Sequence, residues 1–241
     1  MSESERQHQQ TNDGGGTAPR TPTAEVEAER RASFLGFVAH EMRNPLSTAL
    51  WSAELLARLS QSERGGARGD KLAGMCLRSL QRLRLLVEDH FLAERLDVDG
   101  IPLHREAVPL GEVMEGIAGK VPAPGVATSI DGALAVWGDR ALTERVLESL
   151  VAVVGRGGVP VRIVAVRQAA WAEIRALGAP PPADALQRPQ KGTPSDQTGR
   201  ALALHAASRI AKALGGSLST LPDGYLLSLP IAPKAPGTGE P

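Results

Sequence analysis

A histidine followed at once by a glutamate, and one helical turn later by an asparagine and a proline, is the arrangement in this chain best suited to chemistry: His40-Glu41-Met42-Arg43-Asn44-Pro45. A neutral imidazole with one exposed ring nitrogen is a nucleophile toward phosphorus. A carboxylate beside it can take or orient the proton of the other nitrogen and so fix the tautomer, and Glu41 is the candidate for that role. Asn44, one turn on, can hold a water or a phosphoryl oxygen. Pro45 has no amide hydrogen for the helix ladder, which predicts a bend just after His40.

Helical geometry gives this segment a direction. At about 100° per residue, with His40 at zero, Phe34, Val38, Met42, Pro45, Ala49 and Leu56 fall between about 120° and 200°, an apolar stripe for burial. Asn44 and Trp51 fall within about 40° of His40, and Ser47 about 20° to its other side. His40 is therefore expected to face solvent, with Arg43, Ser47 and Trp51 as candidate partner-binding residues. Tryptophan is enriched where partners dock; the competing reading of Trp51 is packing against a second helix or the C-terminal half.

The elements that must position this segment can be read from texture. The chain has 241 residues, enough for one large domain or two small ones. Residues 1–23 contain no apolar cluster and are expected to be a disordered tail. Residues 24–60 read as helical, interrupted only by Pro45. Residues 61–69, with Gly65, Gly66 and Gly69, read as a turn, after which Asp70 can cap a second helix running to about Leu96. Its apolar positions Leu72, Cys76, Leu80, Leu83, Val87 and Phe91 recur at spacings of three and four, the stripe of a bundled helix. Residues 24–98 thus form a helical hairpin that buries too little alone and is expected to dimerise into a four-helix bundle.

Residues 99–232 read differently. Helices are expected near 110–120, 140–154 and 199–214, and strands at 159–167, 171–177, 218–221 and 225–230, with a proline-rich loop over 178–194. Helices segregated against a mixed sheet make an α+β layer. Residues 233–241 are a polar tail.

Composition excludes several functions. Lys plus Arg equals Asp plus Glu at 27 each, so there is no broad positive surface for nucleic acid. The single cysteine, Cys76, can form no internal disulfide and sits in an apolar pattern as a buried, inert thiol. No apolar run approaches the roughly 20 residues of a membrane helix, and the polar N-terminus is no secretory signal, so the expected location is cytoplasmic.

The segment from Phe34 to Leu46, with Phe six residues before His-Glu-Met-Arg-Asn-Pro-Leu, resembles the phosphoacceptor box of two-component sensor histidine kinases. The resemblance implies a homodimeric hairpin phosphorylated on His40 and exchanging the phosphoryl group with a response-regulator receiver domain. The family's residue at the Asn44 position supports dephosphorylation of that partner. The stretch containing Glu88-Asp89-His90 is similar to the family's usual second-helix ending and is read as structural.

The family normally continues into an ATP-binding domain, and landmarks of it persist. Trp137-Gly138-Asp139-Arg140 resembles the start of its first nucleotide-contacting helix. Ile210-Ala211-Lys212-Ala213-Leu214-Gly215-Gly216-Ser217 resembles a later helix and turn, and Leu227-Ser228-Leu229-Pro230 its closing strand. The nucleotide-handling positions do not persist. The family's Asn-Leu-Leu-x-Asn-Ala-x-Lys is here Ser149-Leu150-Val151-Ala152-Val153-Val154-Gly155-Arg156, so the position that ligates Mg²⁺ offers methyl groups instead of oxygen. Its Asp-x-Gly-x-Gly is Ala176-Leu177-Gly178-Ala179-Pro180-Pro181-Pro182, without a carboxylate for adenine. Its Gly-x-Gly-Leu-Gly-Leu is Gly199-Arg200-Ala201-Leu202-Ala203-Leu204, with one glycine of three. The expectation is a histidine phosphotransferase with a pseudo-ATPase domain and no cofactor. Two alternatives stay open: a divergent but active kinase, which would need ATP and magnesium, and a receiver-binding scaffold that carries no phosphate.

Overall fold

The computed structural model describes residues 24–98, 102–121, 125–182, 184–187, 189 and 199–233. The expected N-terminal tail, nearly all of the C-terminal tail and the later part of the proline-rich loop lie outside these residues.

Helix α1 (Ala24–Arg58) runs unbroken through Pro45. Past the proline, the Thr48 hydroxyl donates to the Asn44 carbonyl at 3.1 Å and the Ser52 hydroxyl to the Thr48 carbonyl at 2.8 Å. The expected turn is partly helical: α2 (Gln61–Arg64) is a single turn capped by Ser60. The Glu63 amide donates to the Ser60 hydroxyl, and the Ser60 amide donates back to the Glu63 carboxylate at 3.1 Å. The Ser60 hydroxyl also donates to that carboxylate at 2.7 Å, and this bond first, then the amide's, holds the Glu63 carboxyl below its ordinary range. Helix α3 (Ala67–Val98) begins three residues before Asp70, which therefore lies in its first turn rather than capping it. A carboxylate there still favours the positive end of the helix dipole.

α1 and α3 pack as a hairpin. Phe34, Val38, Pro45 and Ala49 are buried, and Met42 and Leu56 half-buried, as the helical angles require. The α3 stripe is filled unevenly. Leu72 is buried and Cys76, Leu83 and Val87 are half-buried, whereas Leu80 and Phe91 are 47% and 61% exposed. The inward positions also include Leu86, Asp89 and Ala93, so α3 is rotated relative to a simple Leu80–Phe91 seam.

The C-terminal part runs β1 (Arg105–Pro109), α4 (Leu110–Ala118), β2 (Val126–Ile130), β3 (Ala135–Asp139), α5 (Arg140–Val154), β4 (Val161–Gln168), β5 (Trp171–Leu177), α6 (Arg200–Ala213), β6 (Ser217–Leu221) and β7 (Gly224–Pro230). β1 and β3 pair antiparallel; the other strands form a mixed sheet in the order β2-β4-β5-β7-β6, with only β2–β4 parallel. Along β5, Ala172, Ile174 and Ala176 are buried while Trp171 and Arg175 are exposed. That alternation gives the sheet one covered face. Met114 of α4, Leu147, Leu150 and Val154 of α5 and Ile210 of α6 complete the core over it. The fold is α+β, as expected. The expected helices and the strands after residue 159 are present within about two residues of their expected ends, an ordinary boundary error. Strands β1, β2 and β3 were not anticipated.

Candidate phosphoacceptor site and domain junction

His40 is exposed on α1, and Arg43, Asn44 and Ser47 are exposed with it. Trp51, 54% exposed, extends the same face. The structure thus brings five of the six sequence-derived site residues to one surface. Glu41 is the sixth, and it is elsewhere. It is 1% exposed, turned into the hairpin toward Arg82 of α3, with Arg82 Nη2 3.9 Å from its Oε2. Its other oxygen, Oε1, is buried without a hydrogen-bond partner.

The C-terminal domain seats on the hairpin just N-terminal to this site. Leu202 of α6 is fully buried in a cluster with Phe34, Phe37 and Val38 of α1 and Leu86 of α3. The Phe34 ring lies 5.0 Å from that of His205 on α6 and 5.7 Å from that of His90 on α3, both tilted. Beside this apolar seat, Arg145 of α5 donates to Asp89 of α3 at 2.5 Å and lies 3.9 Å from Glu88. Burial raises the Asp89 carboxyl above its ordinary range by more than the Arg145 cation lowers it. The Glu88-Asp89-His90 run is thus placed in the junction between domains.

Between α3, α5 and the start of α6 lies a cavity of about 410 Å³. Its wall includes Ser149, Val153, Arg156, Gly199 and Arg200, residues at the positions that resemble the nucleotide-handling motifs, and Leu85 and Leu86 of α3 line it on the hairpin side. Where a hard cation needs an oxygen, Val153 is a buried hydrocarbon. Ala176, in the strand that leads to the missing adenine acceptor, is buried and apolar. Among the described residues no group of three or more His, Cys, Asp or Glu side chains can hold a metal ion. None of their helices is long and apolar enough to cross a membrane.

Sequence reasoning missed Arg82 and Arg145. Both are polar residues within helices whose faces it assigned from apolar spacing, and a charge carries no periodic signal of its partner. No local signal was available, because the apolar stripe read from the sequence puts Asp89, the partner of Arg145, on the outward side of α3.

Comparison with known proteins gives a family for the hairpin and a fold for the whole. Residues 30–98 match the His Kinase A (phospho-acceptor) domain family. The Acinetobacter baumannii histidine kinase AdeS superposes with a TM-score of 0.60 at 16% identity, over 80% of this chain and 98% of that one. Histidine kinase ThkA, in its complex with response regulator protein TrrA, gives 0.60 at 19% identity, over 90% of this chain and 69% of that one. Full-length ShkA in complex with AMPPNP gives 0.54 at 19% identity, over 83% of this chain and 46% of that one. No curated protein sequence matches. Residues 30–98 thus carry a His Kinase A phospho-acceptor domain, and the chain as a whole shares the fold of these histidine kinases.

Proposed function

We propose that this protein is a histidine phosphotransferase: a dimeric hairpin whose His40 accepts a phosphoryl group from a phospho-aspartyl receiver domain and passes it to another. The C-terminal domain serves as a docking and positioning module and not as an ATPase. The observation that carries the reading is the contrast between the two halves. His40 and Asn44 are exposed together on α1, as phosphoryl exchange would require. The cavity at the nucleotide position instead offers Val153 methyls and is lined on the hairpin side by Leu85 and Leu86 of α3. Phosphoryl transfer from ATP depends on metal and phosphate contacts more than on covalent chemistry, so losing those contacts removes the kinase step while leaving the histidine competent.

A receiver partner is supported by the ThkA complex, in which a kinase of this fold holds a response regulator. The expected homodimer is supported by the exposed Leu80 and Phe91 of α3 and Leu35, Leu46 and Leu50 of α1, which two copies would cover in a four-helix bundle. A cytoplasmic location accords with that partner.

The test is radiolabelled transfer. Purified protein incubated with ATP and Mg²⁺ should remain unlabelled and show no saturable ATP binding at millimolar levels, whereas a phosphorylated receiver should label His40. Label on His40 from ATP alone would establish the divergent kinase instead, and absence of label from any receiver would favour the scaffold.

A further inference from the structure

Glu41 occupies a position at odds with its neighbour. It follows an exposed histidine, yet its carboxylate is buried, one oxygen accepts no hydrogen bond, and the other is 3.9 Å from Arg82. A carboxylate out of water needs its lone pairs satisfied, so a half-satisfied one is held weakly. Residue 45 is proline, so the Glu41 carbonyl has no amide four residues on to receive. Two exits are open to such a side chain: inward to Arg82, or outward to the adjacent imidazole and water.

We propose that Arg82 is a positioning residue that holds Glu41 inward, off His40, and that Glu41 swings out to the imidazole when His40 accepts a phosphoryl group. The inference rests on the phosphotransfer reading. One ring nitrogen attacks phosphorus as the bond from phosphorus to the aspartyl oxygen breaks, and the electron pair leaves with the receiver carboxylate. The other ring nitrogen donates its N–H to Glu41, whose negative charge offsets the positive charge gained by the ring. Arg82 also lines the cavity between α3, α5 and α6, so the seating of the C-terminal domain bears directly on the residue that restrains Glu41.

The experiment measures the rate of His40 phosphorylation by phosphoramidate, a small donor that needs neither ATP nor a receiver. Wild type, Arg82→Gln, Glu41→Gln and the double variant are compared, with helicity and mass checked first. If the outward position is populated about one time in ten, releasing it raises the rate by at most about tenfold. The expected result is a several-fold rise in Arg82→Gln that vanishes when Glu41 is also replaced. An unchanged or slower rate, or a rise that persists without Glu41, overturns the proposal. Should Arg82→Gln not fold, the wild-type protein decides: the Arg82 guanidinium resonance should move when His40 is phosphorylated, and an unmoved resonance overturns it. A protein labelled by phosphoramidate but by no receiver would refute the phosphotransfer reading while leaving this comparison intact.

Discussion

Replacing Arg145 with alanine probes the junction most directly. Asp89 is 5% exposed and receives a 2.5 Å hydrogen bond from Arg145, whose side chain is 24% exposed. Removing one partner of a buried pair leaves the other charge uncompensated, at a cost of about 3–5 kcal/mol. Partial exposure of Arg145 and the neighbouring Glu88, only 3.9 Å from the same cation, place the value at the lower end, about 3 kcal/mol. For a protein of this size that is a fall in Tm of about 6–12 °C at neutral pH.

The loss should depend on pH in one sense only. Burial raises the Asp89 carboxyl in the folded protein, and losing Arg145 raises it further. A group raised on folding contributes stability that is present below its unfolded value, near 3.9, and is lost as pH rises through its folded value. The Arg145→Ala penalty is therefore larger at neutral pH than at acid pH, where Asp89 takes up a proton. Asp89→Asn in the Arg145→Ala background should restore about half of the loss or more, because no buried charge remains. Thermal melts at the two pH values measure this. Equal penalties at both, or a double variant worse than either single one, would refute the reasoning.

Two further outcomes concern surfaces. Leu80→Asp, on the exposed seam of α3, should convert a dimer to a monomer in light scattering at micromolar concentration, since it sets a charge in an apolar contact; an unchanged mass would place the interface elsewhere. Trp51→Ala should weaken receiver binding by about 2 kcal/mol, roughly 30-fold in Kd, while His40→Ala leaves binding near wild type but abolishes phosphate acceptance, both read by calorimetry and labelling. A Trp51→Ala variant that shifts dimer stability without touching receiver affinity would make Trp51 a packing residue.

The legible parts of this fold were those where one physical signal dominates. α5 and β5 have the ends that periodicity gave them, because each alternates cleanly between core and surface. β1, β2 and β3 escaped notice because each is five residues long and carries weak alternation: Val126–Ile130 has no fully buried residue, and Arg105–Pro109 ends in a proline. Their identity comes from long-range pairing, β1 with β3 and β2 with β4, which no local window contains. The phosphoacceptor face was legible because helical angle alone fixes it. Glu41 was not, because its angle, about 100° from His40, lies on the boundary between buried and exposed sides. There packing between helices decides, and Glu41 is turned toward Arg82 of α3 at 3.9 Å.

The landmarks that survive in the C-terminal domain are those that make the fold. Asp139 caps α5 by accepting from the Leu142 amide at 3.1 Å and also receives the His104 amide at 3.1 Å. A side-chain Cβ at Gly216 would stand 2.0 Å from the Ser228 carbonyl oxygen, so the turn into β6 demands glycine with or without a nucleotide. Gly199 is the telling case. It is the glycine retained from a motif whose other two are alanine here, and its φ of 70° lies where L residues are strained. A Cβ there would meet Leu86 Cδ2 of α3 at 2.8 Å. The retained glycine is thus accounted for by the close approach of the hairpin, while Ala201 and Ala203, under no such constraint, lie within the regular helix α6. Positions required only to approach a phosphate have changed, and positions required to seat α6 against α3 have not. On the proposed reading, that division is what a domain needs in order to hold the helices that carry His40 without holding a nucleotide.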